Sequence, residues 1–284
     1  MKKAKIFLSF ITLFLLTGCL KKDSMESISI TTSVYPIEYV VNYLYNDYSE
    51  INSIYPKDSE IIDFEITETL LDQYSQNDLF IFNGQSSEKN FIKYLRESNE
   101  DLKIIDVASN IEYKYSIEEL WLDPNNLLTI ANNIRKGFNE YITNTYLTNK
   151  IDENYENLKI ELTKIDGNYY SYLKQAPYNY IIITDDAFKF LEKYGVKVLS
   201  LDKDTVTSKT ISEINNLLQN KQCIYIFKKY KEEISDDIKE QIVVPYETLD
   251  LYTMTNLKDV NIDKIDYTFL INQNLENIKL ELYK

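Results

Sequence analysis

Residues 146–174 read YLTNKIDENYENLKIELTKIDGNYYSYLK, and the rest of the chain is arranged around this stretch. Its apolar and aromatic residues recur at alternating steps of four and three, which places them on one stripe of a helix. At 1.5 Å of rise per residue, a single helix of this length spans roughly 40 Å. Gly167 weakens the middle of the helix by up to ~1 kcal/mol. The stripe comprises Ile151, Tyr155, Leu158, Leu162, Ile165, Tyr169 and Tyr172.

Short apolar strands alternate with amphipathic helices on both sides of this stretch, which favours α/β lobes with parallel-type sheets. We therefore predict an N-terminal α/β lobe (28–145), one long rigid linking helix (146–174) and a C-terminal α/β lobe (175–284) that ends in a helix from about 267 to 282. Ligands of parallel sheets lie beyond the carboxyl ends of the strands, so the prediction includes a cleft between the lobes. The alternative is a single domain with one long surface helix. The predicted strands are 28–34, 51–55, 78–82, 102–107, 178–184, 196–201, 223–227 and 242–244.

The N-terminus has the pattern of an export signal. Three lysines precede an apolar run, 6–16, that is too short to span a bilayer, so we assign 1–18 to a signal peptide. The following Leu16-Thr17-Gly18-Cys19 resembles the lipobox of bacterial lipoproteins, in which the cysteine is lipid-modified. Residues 19–27 would then tether the protein to the extracytoplasmic face of the bacterial cell membrane. A plain secretory signal with an incidental cysteine is the alternative.

Charge and composition exclude several classes of function. The formal net charge is -14, and removing the three signal lysines makes it -17 (-14 minus 3), which disfavours a nucleic-acid partner. The chain has no histidine, so Ser-His-Asp and Cys-His catalysis and imidazole metal ligands are all excluded. No nucleophile-base pair or phosphate-cradling glycine loop is visible either, and we predict neither an enzyme nor a catalytic cofactor. Cys223 is interpreted as a small core hydrophobe.

Several short motifs occur in an order that resembles the zinc/manganese-type (cluster A-I) solute-binding lipoproteins of bacterial ABC transporters. The resemblance covers nearly all of the mature chain. It implies two α/β lobes joined by one long helix, with a metal held between them and passed to an ABC permease and its ATPase. The motifs are Ile30 to Pro36, Asp63-Phe64-Glu65, Phe82-Asn83-Gly84, Trp121-Leu122-Asp123-Pro124, Thr184 to Phe188, Lys193-Tyr194-Gly195 and Asn274-Leu275.

The resemblance also implies metal-ligand positions. The family's first histidine falls at Ile62, which cannot bind a metal, and its second falls at Glu119. The third position, histidine or glutamate in the family, is Asp185, and the last family ligand, an aspartate, falls near Glu247. Asp63 or Glu60 turning inward would be one way to compensate for Ile62.

Three carboxylates without a nitrogen ligand favour Mn²⁺ as the transported solute, with Zn²⁺ or Fe²⁺ as alternatives. Each carboxylate also has an ordinary structural role available. Asp185 lies between a strand and a helix and is suited to capping the helix, while Glu119 and Glu247 fit solvated loops.

The predicted function is therefore a monomeric, lipid-anchored receptor for a divalent metal. The alternative is a divergent family member that binds no metal and acts as a surface adhesin or interaction lipoprotein, or binds another small solute.

Overall fold

A computed structural model of the protein describes residues 27–45, 48–55, 64–255 and 266–284. The signal peptide, Cys19 and the candidate positions Glu60, Ile62 and Asp63 lie outside these residues. Two four-stranded parallel sheets flank one long helix along the chain, which confirms the predicted α/β class. None of the helices in the described ranges is long and apolar enough to cross a bilayer.

The first lobe contains a four-stranded parallel sheet, whose strands lie in the order Ser49–Ser53, Ile28–Thr32, Leu79–Phe82 and Lys103–Asp106. After this sheet, Asp123 caps a long helix by accepting a bond of 2.9 Å from the Asn125 amide, and Pro124 takes the first helical position. A 3₁₀ helix at Ser87–Phe91 precedes the third α-helix. The elements are β1 Ile28–Thr32, α1 Tyr35–Tyr45, β2 Ser49–Ser53, α2 Glu68–Ser75, β3 Leu79–Phe82, α3 Ile92–Ser98, β4 Lys103–Asp106, α4 Glu119–Leu122 and α5 Pro124–Tyr141.

The predicted linking helix is present as α6, Thr145–Gln175, and begins at the cap residue Asn144. One predicted stripe residue is wrong, because Tyr172 is 41% exposed and Leu173 is buried in its place. A strict alternation of four and three averages 3.5 residues, whereas an α-helix has 3.6 per turn, so the buried stripe drifts by one residue at its end. The buried residues are Leu147, Ile151, Tyr155, Leu158, Leu162, Ile165, Tyr169 and Leu173.

The second lobe repeats this architecture: its strands lie in the order Lys197–Ser200, Tyr180–Ile183, Tyr225–Lys229 and Glu247–Leu251, and all neighbours pair in parallel. A 3₁₀ helix, Asp186–Tyr194, follows the strand Tyr180–Ile183 along the chain. It ends at Gly195, whose φ of 92° suits glycine. The elements are β5 Tyr180–Ile183, β6 Lys197–Ser200, α7 Ser208–Gln219, β7 Tyr225–Lys229, α8 Asp236–Gln241, β8 Glu247–Leu251 and α9 Tyr267–Leu282.

The position of the last strand corrects the sequence prediction. Residues 242–244 do not form a strand: the Ile242 amide bonds to Ile238 and closes α8, and Val243 is 80% exposed. The strand begins instead at Glu247, beyond Pro245. A short β-branched run has the same composition at a helix end as in a strand, so only tertiary pairing distinguishes the two.

A continuous core connects the two lobes through α6. This helix packs on α1 and α5 of the first lobe and on α9 of the second. The buried cluster accordingly includes Val41 of α1, Leu158 of α6 and Ile271 of α9. Cys223 is buried at 1% exposure, as predicted for a core hydrophobe.

Candidate functional site

The two lobes contact each other through segments that follow their strands. Trp121 donates its indole N–H to the Thr253 carbonyl at 2.8 Å. Tyr115 donates its hydroxyl to Glu192 Oε2 at 2.6 Å. These contacts place α4 and the loop before it against the second lobe, where the sequence predicts the cleft.

Asp185 follows β5 and lies at the carboxyl end of the second sheet. Its Oδ1 accepts a bond of 2.8 Å from the Ala187 amide, so Asp185 caps the 3₁₀ helix. Its Oδ2 lies 2.6 Å from Nζ of Lys229, the last residue of β7. Both oxygens of this candidate metal ligand are therefore engaged, one by the backbone and one by an ammonium group.

Two further carboxylates, one from each lobe, influence the charge of Lys229. Glu232 Oε1 lies 3.9 Å from its Nζ, and Glu118, from the first lobe, acts on it electrostatically. Burial lowers the pKa of Lys229, but the bond and charge of Asp185, with the charges of Glu232 and Glu118, outweigh burial and raise that pKa overall. We call Lys229, Asp185, Glu232 and Glu118 the Lys229 cluster.

Glu119 is buried, at 6% exposure, and is not a solvated loop residue. Its Oε1 accepts bonds of 2.7 Å and 3.1 Å from the amides of Tyr115 and Ser116. Its Oε2 accepts a bond of 3.1 Å from the amide of Lys114. The carboxylate thus satisfies three successive backbone donors and fixes the loop that carries Glu118.

Glu247, the third predicted ligand, does not lie beside Asp185 and Glu119, as the strand register shows. It pairs with Tyr225 at the start of β7, whereas Phe227 pairs with Ile183 at the end of β5. Asp185 lies two residues beyond Ile183, so Glu247 lies four residues behind Asp185 along the strands. At about 3.3 Å per residue this is roughly 13 Å, compared with about 2 to 2.6 Å for a metal-oxygen bond.

The acidic side chains near Asp185 and Glu119 do not form a site for a divalent metal. Among the described residues, no group of three or more acidic or cysteine side chains is arranged to hold a metal ion. The oxygens of Glu119 and Asp185 already have partners, so the side chains as placed do not fit a bound metal. Sequence reasoning missed Lys229, although the lysine pair 228–229 follows directly after a predicted strand, where cleft residues are expected.

A second buried carboxylate was also missed. Glu88 is 1% exposed and accepts bonds from the Ser33 hydroxyl at 2.6 Å, the Tyr55 hydroxyl at 3.1 Å and the Asn83 amide at 2.8 Å. Burial raises the pKa of Glu88, although these bonds and Ser86 oppose the rise. Glu88 thus connects the segments that follow β1, β2 and β3.

Two parallel α/β lobes joined by one long helix, with facing loops between them, are the architecture of a two-lobed solute-binding protein. The chain belongs to the family of the zinc-uptake complex component A, periplasmic (ZnuA), whose model matches residues 30–280. The family resemblance predicted from the ordered motifs is thereby confirmed. No curated protein sequence gives a significant match.

Solved structures share the fold at low sequence identity. Zn(II)-bound AdcA from Streptococcus pneumoniae is 16% identical with a TM-score of 0.72, and the match covers 91% of this chain and 58% of AdcA. The chain thus spans less than two thirds of AdcA. The metal-dependent lipoprotein YcdH from Bacillus subtilis is 18% identical with a TM-score of 0.73, covering 91% and 100%. The laminin-binding protein Lbp of Streptococcus pyogenes is 17% identical with a TM-score of 0.70, covering 90% and 99%.

Proposed function

We propose that this protein is the extracytoplasmic solute-binding component of a bacterial ABC transporter and captures a divalent cation between its lobes. The observation that carries this proposal is the position of Asp185, which follows β5 at the carboxyl end of the second sheet, where ligands of parallel sheets bind. The family membership supports the same conclusion, with a permease and its ATPase as partners. Cys19 would anchor the monomeric protein to the membrane through its lipid.

We favour Mn²⁺ as the cation. The family's name and the Zn(II)-bound AdcA structure support zinc. However, zinc sites are dominated by His and Cys, this chain has no histidine, and Cys223 is buried in the core. Oxygen donors suit Mn²⁺ better, and Fe²⁺ remains an alternative.

Asp185 is the carboxylate we expect to reach the cation. It lies at the carboxyl end of the second sheet, and only one of its oxygens is used by the backbone. Glu119 has three backbone donors, so we expect it to position the loop and Glu118 to face the cleft. We do not include Glu247 in the site, because the register places it four residues behind Asp185 along the strands.

A second candidate function is supported by a specific observation. Glu119 is saturated by backbone amides, and Asp185 already has a cationic partner in Lys229. Together with Ile62 at the first ligand position, this favours a family member that binds no metal and acts at the cell surface. Lbp, which has the same fold, is a laminin-binding protein.

Calorimetric titration of residues 24–284 without a histidine tag against Mn²⁺, Zn²⁺, Fe²⁺ and Ca²⁺ distinguishes the two functions. We expect stoichiometric binding, strongest for Mn²⁺, that is lost in Asp185→Asn. Glu247→Gln is the matched control, since it removes one negative charge from an exposed residue outside the site, and we expect it to bind as the wild type does. Absence of binding to all four ions would support the surface-interaction function instead.

A further inference from the structure

The side-chain hydrogen bonds of α6 change from one lobe to the other along the helix. Glu161 accepts a bond of 3.1 Å from the Tyr43 hydroxyl of α1, so this part of α6 is joined to the first lobe. Further along, Tyr169 donates its hydroxyl to the Ile271 carbonyl of α9 at 2.7 Å, in the second lobe. The change of lobe falls between these two positions, and the interval contains Gly167, the single glycine of α6.

Asp166, which precedes Gly167, is the point where donors from both lobes meet. Its Oδ1 accepts a bond of 3.0 Å from the Asn125 side-chain amide of the first lobe. The same oxygen accepts a bond of 2.8 Å from the Tyr194 hydroxyl and lies 3.3 Å from the Lys193 ammonium, both of the second lobe. One carboxylate of α6 is thus bonded to α5 and to the 3₁₀ helix of the second lobe.

Lys193 also contacts the first lobe directly. Its Nζ lies 2.5 Å from Oδ1 of Asp123, the residue that caps α5. The exposed fractions of the side chains are 13% for Asp123, 27% for Asp166 and 31% for Lys193, so salt screens these contacts less than it screens fully exposed pairs. An ammonium shared by two carboxylates is a network, which stabilises more than an isolated surface ion pair does. We call Lys193, Asp123 and Asp166 the Lys193 clasp.

Gly167 is the position at which α6 bends most readily. Glycine is unfavourable inside a helix because its backbone has more freedom than that of other residues, and hinges use such positions to absorb changes in backbone angles. Apart from the neighbouring residues and backbone of the helix itself, no atom lies within 4 Å of the Cβ position of Gly167, so no side chain supports the helix there. The bonds of Trp121 to the second lobe join the lobes at another place, so loss of the clasp would widen the range of angles between the lobes without separating them.

We propose that the Lys193 clasp holds the two lobes at one angle against bending of α6 at Gly167 and thereby sets the width of the cleft between them. Lys193 is a positioning residue in this role, since it acts on the cleft through Asp123 and Asp166. The inference does not depend on which solute the cleft binds, and it stands apart from the proposed function.

The test measures the distance between the lobes by pulsed electron paramagnetic resonance on residues 24–284. Spin labels are attached to Glu97→Cys on α3 and Ser212→Cys on α7, both exposed positions, while the native Cys223 is buried and stays unlabelled. We expect one narrow distribution of distances when the clasp is intact. In Lys193→Met we expect a distribution at least about twofold wider, because the angle between the lobes is no longer fixed.

Lys228→Met is the matched control. Its ion pair with Asp250, at 2.8 Å, is also partly buried but lies within the second lobe, so we expect the distance distribution of the wild type. Asp166→Asn provides a second variant in case Lys193→Met impairs folding, and we expect it to widen the distribution too. Gly167→Ala is then added to Lys193→Met, and we expect the distribution to narrow again, because alanine resists bending at that position.

Hydrogen exchange gives an independent measurement of the bend. Bending at Gly167 opens the helical bonds of the amides of residues 167–171, so we expect these amides to exchange about fivefold faster in Lys193→Met and at the wild-type rate in Lys228→Met. A distribution as narrow in Lys193→Met and Asp166→Asn as in the wild type would overturn the inference. A distribution that stays wide after Gly167→Ala is added would also overturn it, since the lobes would then move about another point.

Discussion

The hydroxyl of Tyr267 donates a hydrogen bond of 2.7 Å to the backbone carbonyl of Trp121, and both residues are buried. Trp121 also donates its indole N–H to the Thr253 carbonyl, so it is bonded twice to the second lobe. Tyr267 begins α9, and its ring stacks on Tyr39 of α1 at a centroid distance of 5.5 Å. The start of the last helix is therefore tied to two helices of the first lobe.

Tyr267→Phe is expected to lower the free energy of unfolding by about 1–3 kcal/mol, because the buried carbonyl of Trp121 loses its donor. Urea denaturation followed by fluorescence measures this change directly, since Trp121 is the single tryptophan in the chain. Tyr283→Phe is the matched control: its hydroxyl donates to the Tyr172 carbonyl at an exposed position. An equal loss in both variants would contradict the assigned role of Tyr267.

Glu119→Ala is expected to lower the free energy of unfolding by about 2–3 kcal/mol, because the amides of residues 114–116 lose their charged acceptor. Guanidinium denaturation checks the magnitude, and hydrogen exchange at these three amides checks the cause. Glu112→Ala, an exposed residue of the same loop, controls for the lost charge. Unchanged exchange at the three amides in Glu119→Ala would show that the carboxylate does not hold the loop.

The linking helix and the α/β class could be predicted from sequence because both depend on local periodicity. The 3.5–3.6 residue repeat of 146–174 is visible without tertiary information, and the last helix, α9, has its predicted bounds, Tyr267–Leu282. The site was harder, because Glu247 was placed after a strand that is in fact a helix end. The ion pair of Asp185 with Lys229 joins residues 44 positions apart (229 minus 185), and no local pattern encodes such a pairing.

Two glycines are expected to respond oppositely to alanine. A Cβ at Gly84 would overlap the carboxylate of Asp106, which accepts bonds from the Gly84 and Ala108 amides at 3.0 Å and 2.9 Å. Gly84→Ala therefore costs about 1–3 kcal/mol of unfolding free energy. Gly167 lies inside α6, and apart from the neighbouring residues and backbone of the helix itself no atom lies within 4 Å of its Cβ position, so Gly167→Ala is expected to stabilise by about 0.5–1 kcal/mol.

Thermal and urea unfolding of both glycine variants check this pair of predictions. Because the same substitution is made twice, differences in side-chain chemistry cancel, and only the surroundings of each glycine remain. A destabilised Gly167→Ala would show that α6 needs glycine for a bend, and a neutral Gly84→Ala would show that the Asp106 carboxylate can move aside without loss.

Glu88 is expected to make stability depend on pH. Burial raises its pKa in the folded state above the ordinary value of 4.5, while the unfolded chain retains that ordinary value. The folded protein therefore favours the protonated form. The stabilising contribution is complete below the unfolded pKa and is lost as pH rises through the raised folded pKa.

Glu88→Gln remains neutral at every pH and is expected to lack this loss. The side-chain amide of this variant accepts the bonds from the Asn83 N–H and the two hydroxyls less favourably than a carboxylate does. This changes the unfolding free energy of the variant by an amount that does not vary with pH. We therefore expect the unfolding free energy of the wild type minus that of Glu88→Gln to fall as the pH rises from the ordinary pKa of 4.5 through the raised folded pKa, measured by urea denaturation at each pH. A difference that rises with pH would show that the bonds from Ser33, Tyr55 and Asn83 outweigh burial and that the pKa of Glu88 is lowered instead.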